Sequence, residues 1–69
     1  MPALKAKDLR SLSKDELFDK SEALRKELFD LRLQAKLGKL ENMLKLRYVR
    51  RDLAKVLTVK REMELKNNG

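Results

Sequence analysis

Apolar residues recur along most of this chain with the spacing of amphipathic helices. From Leu17 to Ala35 they are separated by alternating steps of four and three residues, and a second series with such steps runs from Leu46 to Met63. This spacing places a stripe of side chains on one face of a helix and is typical of two helices that pack together. The first stripe comprises Leu17, Ser21, Leu24, Leu28, Leu31 and Ala35, and the second comprises Leu46, Val49, Leu53, Val56, Lys60 and Met63.

The start of the first long helix is marked by a capping box. The Ser13 hydroxyl can accept a hydrogen bond from a free main-chain N–H of the first turn, and the Glu16 carboxylate can reach back to the cap residue. Leu12 and Leu17 stand at the two positions of a hydrophobic staple, which fixes the direction in which the chain enters a helix. These signals predict a helix over about 14–36.

A glycine and two polar residues mark the connection between the helices. Gly38 suits a helix C-terminus because glycine readily adopts the left-handed conformation that often ends a helix. Glu41 or Asn42 can cap the second helix. We expect a loop over 37–42 and a helix over about 43–66, which together would form an antiparallel hairpin.

The two stripes also predict the register of this hairpin. Pairing Leu28 with Leu53 aligns all the remaining positions of the two stripes and brings Ser21 opposite Lys60. This polar layer fits two interpretations. It can fix the register, as polar residues in a helical seam do, or the open end of the hairpin is wet and Lys60 extends its ammonium group into water. The second is the commoner situation, and we take it as the prediction.

The predicted fold is all-α, a long antiparallel two-helix hairpin with a short N-terminal helix over about 3–10. Residues 1–69 suffice for one small helical domain, whose core is marginal without a partner. Several apolar side chains fall outside the stripes and suggest a partner surface. Phe18, Phe29 and Val59 are the candidates for contact with protein.

The charge of the chain is strongly positive and unevenly distributed. Eighteen Lys and Arg against eleven Asp and Glu give a net charge of +7. The segment 14–36 carries six residues of each sign, whereas 36–55 carries seven basic and two acidic residues. This local excess indicates a polyanionic partner for the second half of the chain.

Most catalytic chemistry is excluded by composition. The chain has no Cys and no His, so the commonest general base and the commonest metal ligands are missing. No glycine-rich phosphate loop is present, and we expect no enzyme activity, no cofactor, no metal site and no small-molecule substrate. No run approaches the roughly 18 apolar residues of a membrane span. The N-terminus lacks the apolar core of a signal peptide, so we expect no membrane partner and a cytoplasmic or organellar location.

The cations of the second helix fall on its outer face when its residues are placed at about 100° intervals. Arg47 and Arg51 lie opposite the apolar stripe, and the small residue Ala54 beside them permits close approach to a phosphate backbone. Tyr48 on one flank can stack on an unpaired base. The candidate contact residues on these grounds are Lys36, Lys39, Arg47, Tyr48, Arg50, Arg51, Lys55, Thr58 and Arg61.

Charge and spacing favour nucleic acid as the partner, with an acidic protein or membrane surface as the alternative. No helix-turn-helix or zinc-finger spacing is present, and a short hairpin offers no groove-reading helix held on a scaffold. A basic element that docks on folded RNA by shape fits better.

The residues themselves resemble a known family. The string KELFDLRLQAKLGKLEN, followed by LRYVRRDLAKVLTVKRE, is similar to the large-subunit ribosomal protein family numbered twenty-nine. The resemblance covers about residues 13–63, and the segment 46–59 is its densest part. The longer eukaryotic cytosolic members carry a basic extension after the second helix, so a bacterial, archaeal or organellar type is expected.

This resemblance implies a structural constituent of the large ribosomal subunit that binds ribosomal RNA near the peptide exit tunnel. It implies a location in the ribosome, a neighbouring ribosomal protein of the family numbered twenty-three, and proximity to nascent-chain factors. The alternative function is a protein-interaction module, either a basic hairpin or a homo-oligomeric coiled coil, without RNA. By position, the implied RNA-facing residues are Arg32, Gln34, Lys36, Asn42, Arg47, Arg50, Arg51, Lys55 and Thr58.

Overall fold

Three helices connected by short turns make up the computed structural model, which describes residues 4–68 and their side chains as far as Lys66. Helix α1 spans Ala6–Leu9, α2 spans Lys14–Lys36 and α3 spans Met43–Asn68. The described residues contain no strand, and α2 and α3 pack against each other, which confirms the all-α hairpin. None of the described helices is long and apolar enough to cross a bilayer.

The N-terminal helix is shorter than predicted. It covers Ala6–Leu9 rather than 3–10, and Ala3 lies outside the described residues. Lys5 precedes it in an extended conformation without a side-chain cap. Helix α3 continues to Asn68, beyond the predicted end near residue 66.

Helix α2 begins at the predicted capping box. The main-chain N–H of Glu16 donates to Ser13 Oγ at 3.1 Å, and the N–H of Ser13 donates to Glu16 Oε1 at 3.1 Å. The hydrogen bond from the Ser13 main chain, with a second from its side chain, lowers the pKa of the Glu16 carboxyl. The box therefore satisfies two N–H groups that the first turn of a helix leaves free.

The loop between α2 and α3 depends on Gly38. This residue has a φ of +71°, its N–H donates to Ala35 O at 3.1 Å, and the N–H of Lys39 donates to Gln34 O at 2.8 Å. This pair of hydrogen bonds defines a Schellman motif, which confirms the predicted role of the glycine. Asn42 rather than Glu41 caps α3, since its Oδ1 accepts from the N–H of Leu44 at 2.9 Å.

The core of the hairpin follows the predicted register. Leu28 and Leu53 are buried in the same apolar cluster, together with Leu31 and Val49. Leu24 packs against this cluster and also against a second one near the open end of the hairpin. The alternating stripes therefore do face each other as expected from their spacing. The second cluster comprises Leu9, Leu17, Val56 and Val59.

The open end of the hairpin is dry, so the prediction of a wet end is wrong. The polar residue Ser21 is 2% exposed there, and its hydroxyl donates to Phe18 O at 2.7 Å. Leu9 of α1 packs into the cluster at this end and closes it against water. Lys60 does leave the seam: its Nζ lies 5.0 Å from the centroid of the Phe18 ring, on the outside of the hairpin.

Val59 is buried, so the proposal that it contacts a protein partner is wrong. Only 1% of its surface is exposed, because α1 packs against α3 at this position and Leu9 covers it. Phe18 and Phe29, the other two candidates, are both exposed. The spacing of the stripes accounts for one neighbour of α3, whereas this part of α3 packs against both α1 and α2.

Candidate nucleic-acid interface

Three arginines of α3 surround one open depression on its outer face. Arg47, Arg50 and Arg51 line this depression, and Ala54 contributes the small side chain. Residues three, four and seven positions apart share a face of a helix, which explains why these four come together. All four are exposed, and Val49 on the opposite face is buried in the core. We refer to Arg47, Arg50, Arg51 and Ala54 as the arginine groove.

The one acidic residue of this segment of α3 does not offset the charge of the arginine groove. Asp52 is 7% exposed, and its Oδ1 accepts a hydrogen bond from the main-chain N–H of Leu4 at 3.5 Å. The carboxylate therefore faces the N-terminal segment. No acidic residue of the described chain lines the groove, so the guanidinium groups stand without a neutralising partner there.

Lys55 is placed differently from the arginines. Its side chain is half-buried, and its Nζ donates to the main-chain oxygen of Leu4 at 3.1 Å. It lies outside the residues that line the arginine groove. An ammonium group has three donors, so this contact occupies only part of its hydrogen-bonding capacity.

A second depression lies at the loop end of the hairpin and contains three of the predicted residues. Gln34, Lys39 and Asn42 line it, together with acidic residues of α2 and the loop. The side-chain amide of Gln34 donates to Asp30 Oδ2 at 3.0 Å, and the oxygen of Asn42 is used in the cap of α3. This depression is therefore mixed in charge, and the exposed Lys39 is the cation among its three predicted contacts.

Arg32 and Lys36 belong to a third surface, on the outer side of α2. They flank a largely apolar depression with Phe29 and Leu33. Phe29 is 71% exposed, the most exposed of the large apolar side chains. The structure therefore separates these two cations from the arginine groove and groups them with an unpacked aromatic ring.

The remaining predicted residues lie along α3, outside the three depressions described above. Tyr48 is half-buried, so only part of its ring is open to a base. Thr58 is exposed, and its hydroxyl donates to Ala54 O at 2.8 Å, which leaves its oxygen as an acceptor. Arg61 is exposed, farther toward the C-terminus.

Sequence reasoning expects Leu4 and Leu9 of the N-terminal segment to cover apolar side chains outside the stripes, which the structure confirms, but it missed the polar contacts of this segment with α3. The main chain of Leu4 is bound by Asp52 and Lys55, two residues that charge patterning treats only as members of a basic stretch. The available signal was a single acid three positions before a lysine, which puts both side chains on the same side of the helix.

The fold and the arginine groove define a small helical-hairpin protein with one basic outer face. Residues 7–62 match the family model described as Ribosomal L29 protein. The chain belongs to this family, and it is a structural, non-enzymatic constituent of the large ribosomal subunit.

Curated relatives are similar over nearly the whole of this chain. The protein of Frankia alni is 54% identical over 69 residues, which cover 100% of this chain and 78% of the relative. The protein of Cutibacterium acnes is 51% identical over 65 residues, covering 94% and 84%. That of Geobacillus stearothermophilus is 46% identical over 65 residues, covering 94% and 98%. Each is named large ribosomal subunit protein uL29, which confirms the family resemblance and the location in the ribosome.

Proposed function

We propose that this chain binds ribosomal RNA of the large subunit through the arginine groove. The observation that carries the proposal is the convergence of Arg47, Arg50 and Arg51 on one open depression with a small residue in it. A guanidinium group presents a planar pair of donors that matches two phosphate oxygens. Three such groups around Ala54 suit closely spaced phosphates of folded RNA, where the small side chain permits the backbone to approach.

The burial of Asp52 strengthens this assignment. An acid on the outer face would repel phosphate and reduce the local potential. Here the carboxylate contacts Leu4 instead, so the basic excess of the segment is directed outward. Helix α2 offers no comparable excess, because it carries equal numbers of acidic and basic residues over 14–36.

The loop end provides a second, weaker contact region. Lys39 lies beside Gln34 and Asn42 in the loop depression and extends the positive surface beyond the arginine groove. The loop depression and the arginine groove are lined by different residues, so contacts at both places would hold the hairpin in one orientation. The protein then acts as a rigid spacer, whose cations neutralise phosphates where RNA strands approach each other.

The exposed apolar surface of α2 supports contact with a neighbouring protein. Phe29 and Leu33 lie in one depression with Arg32 and Lys36, and such a surface is unusual on a protein that works alone. We assign it to the neighbour that the family resemblance implies, the ribosomal protein numbered twenty-three. A place near the peptide exit tunnel and proximity to nascent-chain factors rest on the same resemblance.

Salt dependence of binding to large subunits lacking this protein tests the RNA contact. Each phosphate neutralised should contribute roughly 0.7–0.9 to the slope of log K against log salt. Arg47→Met should therefore reduce the slope by about that amount. Arg25→Met, on the exposed surface of α2, is the matched control and should leave the slope unchanged. An unchanged slope in Arg47→Met would contradict the proposal.

Site-specific cross-linking tests the two surfaces separately. A photoreactive benzophenone residue in place of Ala54 should cross-link to ribosomal RNA in assembled subunits, and one in place of Phe29 should cross-link to protein. In subunits that carry a stalled nascent chain, the benzophenone residue at the position of Phe29 should capture the neighbouring ribosomal protein numbered twenty-three. Cross-links from Ala54 to protein alone would refute the assignment of the groove.

Self-association is the alternative function that the apolar surface also favours. A homo-oligomeric coiled coil would use exposed residues such as Phe29, Leu33 and Leu37. Its melting temperature would then rise with protein concentration, and it would sediment as a dimer or larger species. The RNA-binding proposal expects a monomer whose melting temperature does not depend on concentration.

A further inference from the structure

The main chain of Leu4 is held from both sides by two side chains of α3. Its N–H donates to Asp52 Oδ1 at 3.5 Å, and its carbonyl oxygen accepts from Lys55 Nζ at 3.1 Å. Leu4 precedes α1, so neither group has a partner within that helix. Asp52 and Lys55 are three positions apart on α3, which brings both side chains to the same side of it.

We propose that Asp52 and Lys55 form a clamp on the main chain of Leu4 that docks the N-terminal strap, residues 4–12, over the open end of the hairpin. In this role both side chains are positioning residues, because they act by holding the strap in place. The proposal concerns the folded chain itself, and it does not depend on the proposed binding of RNA.

Burial and charge explain why α3 carries this pair. Asp52 is an almost fully buried carboxylate, which is costly without a hydrogen-bond donor. The N–H of Leu4 is a donor without an intrahelical partner, so each group supplies what the other lacks. Each bond involves one charged group, and the bond from Lys55, at 3.1 Å against 3.5 Å, is the shorter and therefore the stronger contact.

The strap also has an apolar anchor, which makes the clamp one of two attachments. Leu9 is buried against Val56 and Val59, and Leu4 and Leu12 pack around the same cluster. The anchor holds the C-terminal part of the strap, and the clamp holds its beginning. Loss of either attachment should open the strap locally and leave the two long helices packed, because Leu28 and Leu53 lie in the other cluster.

Amide hydrogen exchange of the full chain, followed by NMR, tests the clamp. In the wild type the N–H groups of Leu9 and Arg10, which donate to Lys5 O and Ala6 O, should be protected. Lys55→Met should speed their exchange at least about tenfold, while amides of α3 around Leu53 keep their rates. Asp52→Ala should act in the same direction with a smaller effect.

Three further variants distinguish the clamp from other causes. Leu9→Ala should release the strap by removing the apolar anchor. Lys55→Arg keeps a cationic donor and should preserve part of the protection. Arg51→Met removes a neighbouring cation that has no contact with Leu4 among the described residues, and it should leave the strap amides unchanged.

Three results would overturn the proposal. The first is unchanged strap exchange in both Lys55→Met and Asp52→Ala while Leu9→Ala opens the strap. The second is equal loss of protection in the strap and around Leu53, which would show that the strap does not open as a local unit. A wild-type chain without protected strap amides would likewise refute a docked strap.

Discussion

Arg10 and Glu62, 52 positions apart in the chain, form an ion pair that joins the residue directly after α1 to α3. The Nε of Arg10 lies 3.3 Å from Oε2 of Glu62, and the two side chains are 59% and 47% exposed. An exposed pair of this kind contributes at most about 1 kcal/mol, because water and salt screen it. We therefore expect Arg10→Ala to lower the free energy of unfolding by less than about 1 kcal/mol, as measured by urea denaturation. A larger loss would show that this pair anchors the strap.

Packing at the open end should matter far more than this ion pair. Leu17 is fully buried, so Leu17→Ala should cost about 2–5 kcal/mol through lost burial and the cavity it leaves. A core of this size rarely supplies more than about 3–5 kcal/mol, so the variant should be largely unfolded at room temperature by circular dichroism. The matched control Leu65→Ala, at an exposed leucine of α3, should stay within about 0.5 kcal/mol of the wild type. Equal effects of the two variants would contradict the assigned core.

The end of α2 should be sensitive to substitution of Gly38 through the backbone alone. An added Cβ would meet no atom within 4 Å, but the φ of +71° strains any residue with a side chain. Gly38→Ala should cost about 1–2 kcal/mol in urea denaturation, and Gly38→Asn should cost less because asparagine adopts this conformation more readily. A Gly38→Ala chain as stable as the wild type would be inconsistent with the Schellman motif.

The capping box predicts that the stability of the start of α2 depends on pH. The pKa of the Glu16 carboxyl is lowered by hydrogen bonds from the Ser13 main chain and side chain. A carboxyl whose folded pKa is lowered stabilises the fold above its unfolded pKa, and that stabilisation is lost as pH falls through the folded pKa.

An NMR titration of the Ser13 amide proton measures this effect. Its shift should change with an inflection below the ordinary glutamate pKa of about 4.3. Glu16→Gln, which keeps an acceptor without a titrating group, should abolish the inflection. An inflection at or above the ordinary value would contradict the box.

Local signals in the sequence account for most of the fold. Ser13 and Glu16 define the start of α2, and Gly38 defines its end, because each acts through hydrogen bonds or dihedral angles within a few residues. The register of Leu28 and Leu53 follows from the period of the two stripes together with the short loop that joins them, since both stripes must face each other to be buried. None of these requires knowledge of the rest of the chain.

The place of the strap could not be derived in this way. It depends on contacts between positions about fifty apart, such as Leu9 with Val59, and no periodicity in a helix of four residues encodes them. For this reason the stripes alone place Val59 on the outside of the hairpin and Ser21 at an open end that is exposed to water. The roles of Asp52 and Lys55 were missed for the same reason.

The arginine groove was partly predictable. The angular positions of Arg47 and Arg51 follow from helical geometry, which placed them opposite the buried stripe. Angular positions around a helix do not show which cations share a depression. That depends on the neighbouring side chains and on the direction in which the acidic side chains point. The structure therefore groups Arg32 and Lys36 with Phe29 on another surface, although both lay among the implied RNA-facing residues.

Assembly of a charge-reversed groove tests the central claim most directly. Chains carrying Arg47→Glu with Arg51→Glu, and control chains carrying Arg25→Glu with Lys26→Glu on exposed α2 positions, differ from the wild type by the same net charge. Each is expressed in cells with a tag, checked for helicity by circular dichroism, and measured in large subunits isolated in high salt. The account predicts that the groove variant is absent from the subunits while the α2 control is incorporated. Normal incorporation of the helical Arg47→Glu, Arg51→Glu chain would contradict it.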